Sequence, residues 1–255
     1  MITTKKAFIL LKSNLSRKFR VENNNLDITH LMSNSNFTIK KISDIAEPHR
    51  IERNRKETKE SEIKYVQISD IDVSLGRIKS YRKFIGTNAP NNARRIMNYG
   101  DILISTRRPT RGAIVTVPKE FDKEICTVFF TTLKINDWEE VWPWYLSLFL
   151  RTSLGRFQFQ SMITETAYPV ISDDDVLDIQ VLIPPIEKQK EIALNYNNSI
   201  KIYFEQLNNA YNSLIQSKQN IENYLLGEEA ETIEEIKFGL DIEELEDEYD
   251  DVSSE

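Results

Sequence analysis

The chain has almost none of the residues that build disulfides and metal sites. Its 255 residues include one cysteine, Cys126, and two histidines, His30 and His49. A single cysteine excludes an internal disulfide, and we expect a cytoplasmic protein. Neither histidine lies at metal-ligand spacing from a cysteine or from the other histidine, so we expect no metal site. The seven glycines form neither a phosphate-binding loop nor a dinucleotide fingerprint, and we expect no cofactor in this chain.

Long apolar runs are also missing. No stretch approaches the roughly 20 apolar residues of a membrane span, so we expect no membrane partner. The N-terminal run Ala7–Leu11 is too short for the core of a signal peptide, and no small-residue cleavage site follows it. Hydrophobic residues make up 40% of the chain, which is enough to build a folded core.

The net negative charge of the chain comes from one end. Residues 227–255 contain 14 acidic residues and one lysine, a net charge of −13. Since the whole chain carries −7, the rest carries +6. The stretch from Arg77 to Gly112 holds nine Lys or Arg and one acid, Asp101. A basic body is typical of nucleic-acid-binding proteins, because phosphate contacts supply most non-specific affinity. A solvated basic surface is the alternative.

Hydrophobic periodicity predicts an α+β fold, with a twisted and mainly mixed β-sheet, helices and a final long helix. Trp138–Met162 has apolar residues at helical spacing, with Pro143 in the first turn. Ser172–Asp175 is typical of a helix N-cap. The stretches rich in apolar or β-branched residues predict strands, and they are Tyr65–Ile68, Ile102–Ile104, Ala113–Val117, Cys126–Ile135 and Ile179–Ile183.

A helix is predicted from Ile186 to Leu226, directly after the strand-ending pair Pro184-Pro185. At 1.5 Å per residue it would be about 60 Å long. Its apolar residues follow a heptad pattern that only Lys218 interrupts, which predicts a coiled coil with a second helix. The alternative is an amphipathic helix packed on its own domain. The predicted dimerisation residues are Ile200, Phe204, Leu207, Tyr211, Leu214, Ile221 and Leu225.

Composition divides the chain into four parts. Residues 1–36 are a basic N-terminal segment and an Asn/Ser-rich linker, and residues 37–184 are the globular domain. Residues 185–226 are the long helix. Residues 227–255 have the composition of a disordered acidic tail.

Three polar and basic patches are candidate DNA contacts. The first follows a buried-looking strand, the second is rich in asparagine, and the third is interleaved with Tyr81 and Phe84. Arginine can fork onto phosphate or guanine, and asparagine can read adenine. Solvated loop charge is the alternative for each patch. The candidates are Thr106, Arg107, Arg108, Thr110 and Arg111, then Asn91, Asn92, Arg94 and Arg95, then Arg77, Lys79, Arg82 and Lys83.

Catalytic residues are not evident. The one weak candidate is the nuclease-like Glu62-Ile63-Lys64 with Asp44 upstream, a pattern that is common by chance in a chain with 29% charged residues. We therefore expect a non-catalytic protein and keep a metal-dependent nuclease as a minor hypothesis.

Five segments stand in a characteristic order along the chain. They are Lys41-Ile42-Ser43-Asp44-Ile45-Ala46, Tyr65-Val66-Gln67-Ile68-Ser69-Asp70-Ile71, Gly76-Arg77-Ile78, Gly100-Asp101-Ile102-Leu103-Ile104-Ser105 and Pro184-Pro185-Ile186-Glu187-Lys188-Gln189-Lys190-Glu191-Ile192. Their order resembles a target recognition domain of the specificity (S) subunits of type I restriction–modification systems. The resemblance covers roughly Thr38 to Leu226.

The resemblance implies a function and a set of partners. Residues 37–184 would be the target recognition domain, reading half of a bipartite target in double-stranded DNA. Residues 185–226 would be the spacer helix that docks the methyltransferase (M) subunits, which bind S-adenosylmethionine, with a restriction translocase (R) subunit as a further partner. A usual S subunit carries two recognition domains and two helices, whereas one of each is found here. The resemblance therefore implies a half-subunit that dimerises. A coiled-coil protein-interaction adaptor with a basic head is the alternative.

Overall fold

The computed structural model describes Met32 and residues 35–54, 60–163 and 169–226. The chain divides into two compact units, Met1–Lys190 and Glu191–Glu255. The predicted acidic tail lies outside the described residues, as does nearly all of the predicted N-terminal segment.

The described residues form short strands and five α-helices in an α+β arrangement, as predicted. The helices are α1 (Ile42–Ile45), α2 (Pro143–Arg151), α3 (Ser153–Met162), α4 (Asp173–Leu177) and α5 (Ile186–Leu226). The strands are β1 (Thr38–Lys41), β2 (Ala46–Pro48), β3 (Glu62–Val66), β4 (Ile71–Asp72), β5 (Arg77–Ile78), β6 (Arg82–Ile85), β7 (Ala93–Ile96), β8 (Ile102–Ser105), β9 (Ile114–Thr116), β10 (Ile125–Thr127), β11 (Phe130–Ile135) and β12 (Gln180–Ile183).

The predicted mixed β-structure is divided among several smaller sheets. One has four strands in the order β6-β3-β10-β7, and its β3–β10 pair is parallel. The other four-stranded sheet has the order β2-β11-β8-β9 and is antiparallel throughout. Strands β1 and β12 form an antiparallel pair, as do β4 and β5. Short strands separated by tight turns explain the division, since no strand of the described chain exceeds six residues.

The two larger sheets share one hydrophobic core. Val66 and Cys126 belong to the first sheet, while Leu103, Val115 and Phe130 belong to the second, and all five are buried in the same cluster. Fully burying a side chain of the size of leucine stabilises the fold by about 1.5–3 kcal/mol. The core therefore fixes the strand ends, and the loops that follow β8 and β10 start from a rigid base.

The helix predicted over Trp138–Met162 is two helices. Pro143 does begin α2, because its missing N–H costs nothing in a first turn. Thr152 then interrupts the helix with extended backbone angles (φ −66°, ψ 170°), and its hydroxyl donates to the Phe149 carbonyl at 2.6 Å. This local hydrogen bond competes with helix continuation. Gly155 lets α3 pass close to α2, since a Cβ there would lie 2.5 Å from the Leu150 carbonyl oxygen.

The predicted N-cap at Ser172 is confirmed. The Asp175 backbone N–H donates to Ser172 Oγ at 3.1 Å, and the Ser172 N–H donates to Asp175 Oδ2 at 2.9 Å. The two bonds form a capping box at the start of α4.

The double-proline junction is held by one buried amide. Gln189 has no exposed surface, its Oε1 accepts from the Trp142 N–H at 2.9 Å, and its Nε2 donates to the carbonyls of Glu140 (2.9 Å) and Pro184 (2.8 Å). Lys190 Nζ lies 4.9 Å from the centre of the Trp142 ring. The first turn of α5 is therefore fixed to the residues that precede α2.

The long helix has the predicted bounds, Ile186–Leu226. Two of its predicted dimerisation residues, Ile200 and Phe204, are buried within the chain, and Tyr211 is half-buried. Among the described residues no helix is both long and apolar enough to cross a bilayer. The predicted dimerisation residues that remain exposed are Leu207, Leu214, Ile221 and Leu225.

Candidate nucleic-acid interface

The loop after β8 is tied to its neighbours by hydrogen bonds. Strand β8 is buried along its whole length. Ser105 Oγ donates to the Arg107 carbonyl at 2.7 Å. The N–H and the hydroxyl of Thr106 both donate to the Phe129 carbonyl, at 3.0 and 2.9 Å. Because the loop begins on a buried strand and is bonded twice to the segment between β10 and β11, its side chains start from a fixed backbone.

The loop then forms a 3₁₀ turn at Pro109–Arg111. The residues on either side of it have left-handed backbone angles, Arg108 at φ 50° and Gly112 at φ 78°. Glycine adopts this conformation without strain, whereas arginine does so at a cost that the surrounding contacts must offset. One such contact runs from the Arg108 N–H to the Pro169 carbonyl at 2.9 Å.

An open groove of about 930 Å³ lies beside this turn. Arginine and lysine dominate its charged lining. Among the described residues its one carboxylate is that of Asp72, which accepts from the N–H groups of Ser74 and Leu75 at 2.9 and 3.1 Å. The Asp72 charge is thus directed at its own turn. The cations that line the groove are Lys79, Arg107, Arg108, Arg111 and Arg156.

The groove brings together six of the residues predicted to contact DNA. They come from loops that are distant in sequence but meet at the ends of the strands. Thr106 does not line the groove, and its hydroxyl donates to the Phe129 carbonyl. The six residues are Lys79, Asn92, Arg107, Arg108, Thr110 and Arg111.

The other predicted DNA-contacting residues lie outside the groove lining. Lys83 pairs with Glu62 at 3.1 Å, and Arg94 pairs with Glu52 at 3.8 Å. Arg95 Nη1 donates to the Phe130 carbonyl at 3.4 Å. Two more residues, Arg82 and Asn91, are exposed, and Arg77 is half-buried. The three patches therefore do not form one continuous basic surface around the groove, and these six assignments stay predictions.

Sequence reasoning missed Arg156, Gln67 and Ser69, which also line the groove. Arg156 projects from α3, and its Nη2 donates to the Thr110 carbonyl at 3.1 Å. The sequence held only indirect signs that these three residues line the groove. Gln67 and Ser69 belong to a motif that carried the family resemblance, whereas α3 was interpreted through its apolar residues alone.

Gly100 and Asp101 line a second cavity of about 360 Å³ and stabilise the turn before β8. The buried Asp101 carboxylate accepts from the Asn98 N–H at 2.8 Å and lies 2.9 Å from His49 Nδ1. Burial raises the pKa of Asp101, and its hydrogen bonds oppose that rise. A Cβ at Gly100, where φ is +81°, would overlap the Trp138 ring. This motif therefore holds the turn that begins β8.

The nuclease-like residues have other partners. Lys64 Nζ donates to the Glu120 carbonyl at 2.9 Å and lies within 5.4 Å of the centres of the Tyr81 and Phe121 rings. Glu62 is paired with Lys83. Among the described residues, no group of three or more His, Cys, Asp or Glu side chains is placed to hold a metal ion.

Similarity to known proteins shows the family and the fold of this chain. Residues 34–195 match the family model of the type I restriction modification DNA specificity domain. No curated protein sequence matches the chain. The crystal structure of the HsdS subunit from Thermoanaerobacter tengcongensis is similar, with 24% sequence identity and a TM-score of 0.60. A structure that concerns complex assembly and conformational transition of the type I R-M system is also similar, with 22% identity and a TM-score of 0.59.

Each comparison covers 78% of this chain and 52% of the solved chain, so this chain spans about half the length of the solved structures it matches. At these identities the likeness to solved structures shows the fold. The family model covers well over half of the chain, and its description names DNA specificity and no catalytic activity. The chain belongs to the type I restriction–modification DNA specificity domain family.

Proposed function

We propose that this chain is a non-catalytic DNA-recognition subunit that reads one half of a bipartite target for a type I restriction–modification complex. The observation that carries the proposal is the basic groove. Among the described residues, Lys79, Arg107 and Arg111 have no carboxylate partner, so their charge is available to a ligand. The proposed ligand is double-stranded DNA, because its phosphates and base edges accept hydrogen bonds from lysine and arginine.

The groove offers two kinds of donor. Flexible cations such as Lys79 fit phosphate, because a point charge needs no fixed orientation. Asn92, Gln67 and the planar arginine side chains offer directional donors that fit base edges. A recognition domain needs both kinds, since phosphate contacts position the protein and base contacts select the sequence.

The proposal also assigns partners. Methyltransferase subunits would carry S-adenosylmethionine and the catalytic residues, a restriction translocase would complete the complex, and the chain would act in the cytoplasm. Leu207, Leu214, Ile221 and Leu225 on α5 are exposed, and apolar residues at this spacing fit a second helix. We propose that a second recognition domain pairs through this helix. Two identical readers related by a two-fold axis would give a symmetric, interrupted target.

A gel-shift series tests the DNA proposal. The full chain with its methyltransferase subunit is titrated against duplexes that contain all half-site combinations, at several salt concentrations. We expect one interrupted motif to bind best, with affinity falling steeply as salt rises. Binding that ignores sequence at every salt concentration would contradict the proposal.

A coiled-coil adaptor with a basic head is the second candidate. The observation in its favour is the row of exposed leucines on α5, which needs a partner whether or not DNA is bound. Sedimentation of the chain with and without a pool of duplexes separates the two candidates. Stable association with a protein partner, together with no DNA binding by any complex, would favour the adaptor.

A further inference from the structure

Among the cations of the groove, Arg107 is distinguished by a contact between its guanidinium and an aromatic ring. The Arg107 guanidinium lies 3.6 Å from the centre of the Phe129 ring, well inside the roughly 6 Å range of a cation–π contact. Arg107 is exposed, and no carboxylate of the described chain pairs with it. The ring therefore supports the guanidinium, while its N–H donors remain available to a ligand.

The backbones that carry Arg107 and Phe129 are fixed to each other. Thr106 donates twice to the Phe129 carbonyl, and the Arg107 carbonyl accepts from Ser105 Oγ. On its other side Arg107 forms a β-bridge with Val170, and the Ile171 N–H donates to the Thr106 carbonyl at 3.0 Å. Both members of the cation–π pair thus move together, which fixes the position of the guanidinium before any ligand arrives.

Three other cations of the groove, Lys79, Arg111 and Arg156, have no such aromatic support among the described residues. Lys79 is an exposed point charge on a loop, and Arg111 ends the 3₁₀ turn. Arg156 uses one of its nitrogens to donate to the Thr110 carbonyl. A phosphate contact does not need a cation in a fixed orientation, whereas a bidentate contact to a base edge requires two N–H groups in a fixed orientation.

Resting on the DNA-recognition function proposed above, we infer that Arg107 is a specificity-determining residue that reads a guanine. Its guanidinium donates to guanine O6 and N7 in the major groove, the contact that suits a planar fork best. Phe129 is a positioning residue, which acts by holding the fork. Arg111 and Lys79 contact phosphates and contribute affinity without sequence preference.

Selection from a randomised duplex pool tests the inference. The full chain with its methyltransferase subunit is used, and the bound DNA is sequenced. The variants are Arg107→Ala, Arg107→Lys and, as a matched control in the same loop, Arg111→Lys. We expect wild type to select a motif with a guanine. Preference for that guanine should fall roughly ten- to a hundred-fold in both Arg107 variants, with the other positions unchanged. Arg111→Lys should keep the motif.

Phe129 is tested by a pair of variants that keep the net charge. Phe129→Leu removes the ring and should weaken the guanine preference, while Phe129→Tyr keeps a ring and should preserve it. Thermal unfolding of both variants monitors the fold. Loss of affinity without loss of guanine preference in Phe129→Leu would give Phe129 a merely structural role.

The outcomes separate this inference from the function on which it rests. If wild type selects a motif and both Arg107 variants select the same motif with the same guanine preference, the inference on Arg107 is overturned and the proposed function stands. Uniform weakening on all sequences by Arg107→Ala overturns it as well, because that is the signature of a phosphate contact. A wild-type complex that selects no motif overturns both.

Discussion

The groove and the two edge strands β6 and β7 all carry basic residues, but they differ in what surrounds each cation. In the groove, Lys79 and Arg111 have no carboxylate partner among the described residues. On the strands, Lys83 is paired with Glu62 and Arg94 with Glu52. Arg95, also on β7, donates to the Phe130 carbonyl.

This difference shows that the ability of a cation to attract phosphate depends on whether a carboxylate already pairs with it. An exposed ion pair contributes little to stability, but the carboxylate cancels much of the local field that would attract phosphate. A phosphate approaching Lys83 or Arg94 must compete with a carboxylate that is already in place. Among the described residues, Lys79 and Arg111 have no such carboxylate beside them, so we expect the two regions to differ sharply in DNA binding.

The largest expected effect comes from removing the unpaired cations. The double variant Lys79→Ala/Arg111→Ala should lose roughly ten-fold in DNA affinity for each cation removed. The slope of log affinity against log salt should become shallower by about 0.9 for each lost phosphate contact. Fluorescence anisotropy with a fixed duplex at a series of salt concentrations measures both quantities.

The matched control is Lys83→Ala/Arg94→Ala, which also removes one lysine and one arginine. Because the net charge changes by the same amount in both double variants, any difference between them reports position. We expect the control to change the salt slope less than the groove variant does, because Glu62 and Glu52 already pair with these two cations. Equal loss in the two variants would mean that net charge alone drives binding, and the distinction between groove and strands would fail.

Several elements could be predicted because local sequence specifies them. The helix Ile186–Leu226 follows from the proline pair that stops a strand and from heptads that only Lys218 interrupts. The Ser172 cap follows from a side chain that bonds a backbone group three residues away. The break at Thr152 was missed because the apolar spacing continues across it, and only the backbone angles of that residue reveal it.

The arrangement of the groove could be predicted only in part, for a different reason. The loop with Arg107 was identified from its composition and from the strand before it. Its support by Phe129, the addition of Arg156 and the pairing of Lys83 with Glu62 join residues that are 20 or more positions apart. These contacts depend on how the sheets pack, which no local pattern contains.

A smaller effect separates the two hydroxyls of the loop. Thr106→Val removes the hydroxyl that donates to the Phe129 carbonyl and should lower the free energy of unfolding by about 1 kcal/mol. Thr110→Val is the matched control, because within the described chain the Thr110 hydroxyl has no hydrogen-bond partner. Urea unfolding of both variants measures the difference.

DNA binding should rank these variants in the opposite order. Thr110 lines the groove and Thr106 does not, so Thr110→Val should weaken DNA binding more than Thr106→Val. If Thr106→Val leaves stability unchanged and weakens DNA binding, its hydroxyl contacts DNA, and the loop is held by its backbone bonds alone.

The smallest effect concerns the interior beneath Arg95. Cys126 pairs with Arg95 across β7 and β10, and burial raises the pKa of its thiol from 9.0 to about 12. Since the thiolate is the reactive form, iodoacetamide at pH 8 should leave the folded chain unmodified and alkylate it in urea, as mass spectrometry would show. A raised folded-state pKa means that the unfolded chain loses this proton first. This thiol should therefore leave stability unchanged below pH 9 and lower it as the pH rises from 9.0 towards 12. Rapid alkylation of the folded chain at pH 8 would show that β7 and β10 separate readily. The carbonyl contact of Arg95 would then be transient, and the contrast between the groove and the strands would have to exclude this residue.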